Sequence, residues 1–318
     1  MIPAGANPRR IVIIGAGAIG GSVGALLHEH TQLEVWLVAR GDHGARIASH
    51  GLRLKTPGAD RTLTLPSRQA IADVDWQAGD LAILATKLND AREALTELAA
   101  AAAAGLPVAC LTNGVEAESW ARQSFTEVIS AVIWMPASHL QPGEVTLHAH
   151  ECAGVIDLGN VGTIDGPHAQ WLKAQLQSAR FDSLVRADIT RYKHAKLITN
   201  LGNAAQALVT DDWRRVAAAA RAEGERTLQA AEIDYAPVAE LLERTAHVTE
   251  APVDGQLRSG GSTWQSQQRR RELETHWIEG AVARLAAKHG VSAPILHRLA
   301  QAAAARKPAS AASFLGEA

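Results

Sequence analysis

Two stretches carry residues whose types and spacing could do chemistry. In IVIIGAGAIGG, Gly15, Gly17 and Gly20 form a GxGxxG array between a short apolar run and a helical pattern. Gly15 permits a tight turn, Gly17 lets the backbone approach a pyrophosphate, and Gly20 lets the helix lie close to the strand. The helix N-terminus, with Ala18 and Ile19, then faces the anion. A dinucleotide site is the expectation. The next β-like segment, EVWLVAR, ends in Ala39 and Arg40, where an NAD enzyme would place an acid for the ribose 2′-hydroxyl. A guanidinium there pairs with a 2′-phosphate, so the expected cofactor is NADP(H), although Asp42 works against the assignment.

The second stretch is KHAKLITNLGN. On a continuous helix Lys196, Asn200 and Asn203 fall at i, i+4 and i+7 in one stripe, and Lys193 lies on the same side. Spacing does not choose between the two lysines, or between a working site and a solvated face. Leu197, Ile198 and Leu201 make the helix apolar over much of its circumference, so part of the amide stripe is expected to be enclosed.

The elements that must position these residues alternate. The runs RIVIIGAG, LEVWLVAR, DLAILATK, LPVACLTN, EVISAVIWM and GVIDLGN read as buried strands. Helical patterns lie between several of them, such as AIGGSVGALLHEH, with Gly24 on its inner side, and NDAREALTELAAAAAAG, stopped by Gly105 and Pro107. Strand and helix in alternation imply a parallel sheet. Lys87, after DLAILAT, and Asn113-Gly114, after VACLT, stand at strand ends, where open α/β sheets bind ligands; each also reads as a cap or turn residue. The stretch VIWMPASHLQPGEVTLHAHECAGVIDLGN reads as a closing antiparallel portion of the same domain.

From about Asp188 the apolar spacing is helical, PVDGQLRSGGSTWQ reads as a loop, and the tail AAAARKPASAASFLGEA is expected to fray. The fold class is therefore α/β: an N-terminal Rossmann-type doubly wound sheet over residues 1–187, then an all-α domain over residues 188–318. A chain of 318 residues has length for both cores.

With 47% hydrophobic and 20% charged residues the composition is that of a soluble globular protein. A net charge of -2 and no clustered basic surface speak against a nucleic-acid partner. Only Cys110 and Cys152 occur and no secretory signal is visible, so a reducing cytoplasm without a disulfide framework is expected. The N-terminal apolar run is too short and glycine-rich to cross a bilayer, so no membrane partner is expected either. His148, His150, Glu151 and Cys152 could place two ligands on one strand face, but no third is evident and no metal is expected. Arg269, Arg270 and Arg271 read as a solvated helix face.

Together these motifs resemble the ketopantoate reductase (2-dehydropantoate 2-reductase) family, in which a GxGxxG domain precedes a helical domain opening with KLxxN, here Lys196 to Asn200. The family's serine, followed twelve residues later by a glutamate and then by an aromatic and a glycine, is matched by Ser262 and Glu274. Asn113-Gly114 and Lys87 match the family as well. The resemblance implies NADPH-dependent reduction of a small-molecule 2-oxo acid to a 2-hydroxy acid. It makes Lys196 the stabiliser and proton donor of the developing alkoxide, and Glu274 the acceptor from a hydroxyl or the holder of Lys196. Asn200 orients the substrate, Ser262 contacts its carboxylate end, and Asn113 positions nicotinamide or carbonyl. The family often carries a second asparagine four residues after the first; here Ala204 stands there and Asn203 lies one residue early, so the substrate pocket is expected to differ. A homodimer is compatible with this reading. The alternatives are a β-hydroxyacid dehydrogenase-type oxidoreductase and a non-catalytic NADPH-binding sensor.

Overall fold

The computed structural model describes residues 7–317. The strands are β1 (Arg10–Ile14), β2 (Glu34–Val38), β3 (Leu52–Thr56), β4 (Ala59–Leu63), β5 (Ser67–Arg68), β6 (Asp80–Leu84), β7 (Val108–Cys110), β8 (Val128–Trp134), β9 (Ala137–Ser138), β10 (Glu144–Leu147), β11 (Gly154–Asn160) and β12 (Phe181–Asp182). Eight form one sheet in the order β12-β11-β8-β7-β6-β1-β2-β5, parallel except where β11 runs against β8. The apolar runs form central strands because both faces are covered: Ile11, Ile13, Leu37, Leu81 and Ile83 have no exposure. The helices of this region are α1 (Ala18–His30), α2 (Gly41–His50), α3 (Leu88–Ala101), α4 (Glu116–Ala121) and α5 (His168–Ser178). Gly24 lies on the inner side of α1, where an added Cβ would stand 2.8 Å from Leu37.

A second, four-stranded sheet, β4-β3-β10-β9, was not expected. LRLKT alternates buried and outward residues, and its partner ADRTL is largely outward-facing, so neither carries the continuous apolar run of the central strands. Only the β8–β11 pairing of the anticipated antiparallel portion joins the main sheet; β9 and β10 join the smaller one. Helix α3 ends at Ala101, ahead of the expected stop at Gly105.

The chain divides into two compact units, one running up to Thr190 and reclaiming Glu243–Arg258, the other made of Arg191–Leu242 and the residues from Ser259 onward. No single boundary describes this division. Arg244 explains the return: its guanidinium bonds Asp157, at 2.8 Å, and Asp182, tying the segment to β11 and β12.

The remaining helices are α6 (Ile189–Asn200), α7 (Asn203–Leu208), α8 (Trp213–Ala230), α9 (Val238–Thr245), α10 (Ser262–Gln268), α11 (Glu279–Lys288), α12 (Pro294–Ala305) and α13 (Ala311–Leu315). Buried Glu223 on α8 accepts the backbone N–H groups of Ile295 and Leu296 at 3.0 and 2.9 Å, fixing the start of α12. The tail does not fray. Phe314 is buried, Ser310 caps α13, and Thr210 donates its backbone N–H to Ala309 at 3.0 Å; the last residue, Ala318, lies outside the described residues. The exposed arginine run falls in the turn after α10 rather than on a helix face, with Arg269 half-buried.

Candidate functional site

The cofactor end is assembled by strand register. Ile14, Val38 and Leu84 are aligned across β2-β1-β6, and Leu84 is aligned with Cys110 on β7. Gly15, Arg40, Lys87 and Asn113 each follow one of these strand ends within three residues, so the sheet delivers all four to its carboxyl edge. Backbone bonds lock the edge: Gly15 donates to Val38 at 2.9 Å, Ala85 to Ile14 at 2.8 Å, and Leu111 to Leu84 at 2.8 Å.

The glycines divide the labour as expected. Gly15 has φ +98°, and a Cβ there would stand 2.9 Å from the Ala85–Thr86 backbone; at Gly20 it would stand 2.1 Å from the Gly15 carbonyl. Neither position tolerates a side chain. At Gly17 the nearest atom to an added Cβ is 4.0 Å away, so the loop opens into space there. Helix α1 begins at Ala18 and Ile19 with Gly17 as its N-cap, no side-chain cap and no acid in its first turn. Its first N–H groups and its dipole therefore suit a pyrophosphate, and the residues present fit a dinucleotide. Arg40 is the exposed N-cap residue of α2, bonded to Asp90 at 2.9 Å and Glu93 at 3.5 Å. Lys87 is the N-cap residue of α3, and Asn113 is half-buried before Gly114, whose φ is +70°.

The second group of candidates lies in the helical unit. The anticipated single helix is broken. Helix α6 ends at Asn200, and α7 starts at Asn203 after a turn at Leu201 and Gly202. Helix α8 seats this break: a Cβ at Gly224 would stand 2.3 Å from Leu201, and one at Gly202 would stand 3.0 Å from Ala217. Asn203 therefore does not continue the α6 stripe. It returns to it instead, donating Nδ2–H to Asn200 Oδ1 at 3.3 Å. Asn200 is buried, Leu197, Ile198 and Leu201 are buried beside it, Lys193 is 3% exposed and Lys196 is half-buried.

Ser262 opens α10 next to the same break. Gln206 on α7 accepts the Gly261 N–H at 2.8 Å, and a Cβ on Gly261 would lie 3.5 Å from Asn203 Oδ1. Glu274 is buried in a 3-10 turn over Glu274–His276.

Sequence reasoning missed Glu279. Its side chain is 1% exposed, and Oε1 has no hydrogen-bond partner among the described residues. Burial, reinforced by the charge of Glu274, pushes its carboxyl up to about 8. The available signal was an acid between Ile278 and Gly280 on a face that is otherwise apolar. His148 and His150 do not share a face, because β10 ends at Leu147, leaving His148 buried and His150 exposed.

Comparison with known proteins agrees with both halves. The family model described as Ketopantoate reductase PanE/ApbA matches residues 11–162, and that described as Ketopantoate reductase PanE/ApbA C terminal matches residues 189–307. The chain belongs to the ketopantoate reductase family. It is an NADPH-dependent oxidoreductase that acts on a CH–OH group, reducing a 2-oxo acid to a 2-hydroxy acid. A 2-dehydropantoate 2-reductase of Halobacterium salinarum is 25% identical over 92% of this chain and 96% of its own. The crystal structure of 2-dehydropantoate 2-reductase from Geobacter metallireducens GS-15 matches with TM-score 0.75 and 25% identity, over 94% of this chain and 100% of that one. A D-mandelate dehydrogenase solved with NADH and anilino(oxo)acetate shares the fold at TM-score 0.78 and 24% identity, over 93% and 98% of the two chains. Among the described residues no helix is long and apolar enough to cross a membrane.

Proposed function

We propose that this ketopantoate reductase family member takes ketopantoate or a close 2-oxo acid, and that Lys196 is its working lysine. The observation that carries the reading is the bond from Asn203 to Asn200, which lies one helical turn beyond Lys196 on α6, with Gly261, the residue before Ser262, close to Asn203. Lys196 is half-buried and can be reached, whereas Lys193 is sealed at 3% exposure, which supports the assignment that spacing left open.

The chemistry the dinucleotide supplies when bound is hydride donation to the ketone carbon. Negative charge then gathers on the substrate oxygen, where the Lys196 ammonium stabilises it and passes its proton to it. Asn200, oriented by Asn203, offers hydrogen bonds to the oxo acid; Ser262 contacts the carboxylate end; Glu274 accepts from a hydroxyl or holds Lys196. Asn113, Lys87 and Arg40 serve the cofactor, Arg40 at the 2′-phosphate.

Ala204, standing where relatives often carry a second asparagine, favours a 2-oxo acid that asks for one hydrogen bond fewer at that point. NADPH oxidation measured against ketopantoate and a panel of other 2-oxo acids tests this. Turnover with a member of the panel is expected, and cofactor binding with no oxidation by any member would overturn the substrate reading. A homodimer and a cytoplasmic setting complete the proposal. The free thiols of Cys110 and Cys152 support a reducing compartment, and sedimentation would test the dimer.

A further inference from the structure

His43, in the first turn of α2, is bonded at both ring nitrogens to backbone. The Gly143 N–H donates to Nδ1 at 2.8 Å, and Nε2 lies 2.7 Å from the Ala16 carbonyl. A backbone N–H can only donate, so Nδ1 carries the lone pair and Nε2 carries the proton that Ala16 accepts. The ring is also fixed in orientation. His139 packs against it, tilted by 46° with centroids 4.1 Å apart, and is itself held by the Glu144 carbonyl at 2.9 Å from its Nδ1. Gly143, which has φ +76°, sits against α2, since a Cβ there would stand 2.3 Å from Arg46.

The Ala16 carbonyl belongs to the same peptide unit as the Gly17 N–H. In a trans peptide the two point in opposite directions, so a donor fixed on the carbonyl fixes the aim of the N–H. Donation to the carbonyl also polarises the unit and strengthens the N–H as a donor. Among the described residues no acceptor takes the Gly17 N–H, and the space beside Gly17 is open out to the His139 ring edge at 4.0 Å.

We propose that His43 is a positioning residue for the cofactor, aiming the Gly17 N–H at the dinucleotide pyrophosphate through its bond to the Ala16 carbonyl. The inference rests on the dinucleotide occupying the glycine-rich loop. It also links two subsites, because His43 lies three residues after Arg40, the candidate for the 2′-phosphate.

Two conservative variants separate the ends of the ring. Gln at position 43 can place an N–H donor near the Nε2 position, keeping the bond to Ala16. Asn can place an acceptor near the Nδ1 position, keeping the bond to Gly143 but not reaching the loop. NADPH affinity, KM for NADPH, kcat and Tm are compared for wild type, His43→Gln, His43→Asn and His43→Ala. The expected result is a rise of roughly fivefold or more in NADPH Kd for His43→Asn and His43→Ala, carried by KM rather than kcat, with most of the affinity restored in His43→Gln. Equal affinity across all variants, or losses that follow Tm instead of the donor at Ala16, would overturn the proposal. If His43→Ala does not fold, the Gln and Asn pair still decides it. Wild-type protein that binds no NADPH would count against the dinucleotide site itself, a separate failure.

Discussion

The two groups of candidate site residues are built by different means. At the carboxyl edge of the parallel sheet the working surface is backbone: aligned strand ends, glycines that exclude Cβ atoms, and the N-terminus of α1. At the break between α6 and α7 it is side chains, with Asn203 turned back onto Asn200, and farther along the chain the buried acid Glu279. A backbone site needs small residues at fixed positions and tolerates variety elsewhere. A side-chain site needs particular residues, and it shifts when one of them moves by a single position.

The contrast can be broken at several points. Gly20→Val would place a branched side chain against the Gly15 carbonyl, 2.1 Å from the added Cβ, and should cost about 3 kcal/mol or more in stability and abolish NADPH binding. Thermal melts with titration calorimetry check this, and a stable, binding variant would refute the backbone account.

Glu279→Gln tests the other end. The wild-type carboxyl is raised from its ordinary value of 4.5 to about 8 by burial and by Glu274. Between these values the folded chain holds a proton that the unfolded chain has released, so this contribution to stability is fully present below 4.5 and is lost as pH rises through about 8. Each unit of separation corresponds to about 1.4 kcal/mol. The glutamine variant lacks that loss, so its stability relative to wild type should improve by on the order of a few kcal/mol from mildly acid to alkaline pH. Denaturant melts at several pH values read this; a difference that does not change with pH would mean Glu279 is not held neutral.

Gly17→Ala sharpens the comparison, because the loop has room for a methyl group there but a ligand does not. Tm should stay near wild type while NADPH Kd rises roughly tenfold. Arg40→Ala should have the smallest effect on stability, below about 1 kcal/mol, since its pairs with Asp90 and Glu93 are exposed. Its effect should fall on NADPH affinity and leave NADH nearly unchanged; equal losses for both cofactors would remove the 2′-phosphate role.

The cofactor half was legible in the sequence because backbone requirements write themselves as glycine and as continuous apolar runs. GxGxxG and the central strands RIVII, EVWLV and DLAIL stand where they were read. The four-stranded sheet was not legible, since LRLKT and ADRTL carry charges and lack a continuous apolar run. In the helical half the residue types were visible but not their arrangement. Helical periodicity carries Asn203 along the α6 stripe, whereas packing of α8 against Leu201 and Gly202 breaks the helix and turns Asn203 back. The buried state of Glu279 and the bonding of His43 to Ala16 and Gly143 depend on contacts distant in sequence, which no local pattern announces.

The central claim is that the Lys196 ammonium supports the alkoxide formed on reduction. Steady-state turnover of Lys196→Ala with the best 2-oxo acid, alongside its NADPH affinity, tests it most directly. The account predicts kcat lower by about 10²- to 10⁴-fold with NADPH binding retained; turnover at the wild-type rate would contradict it.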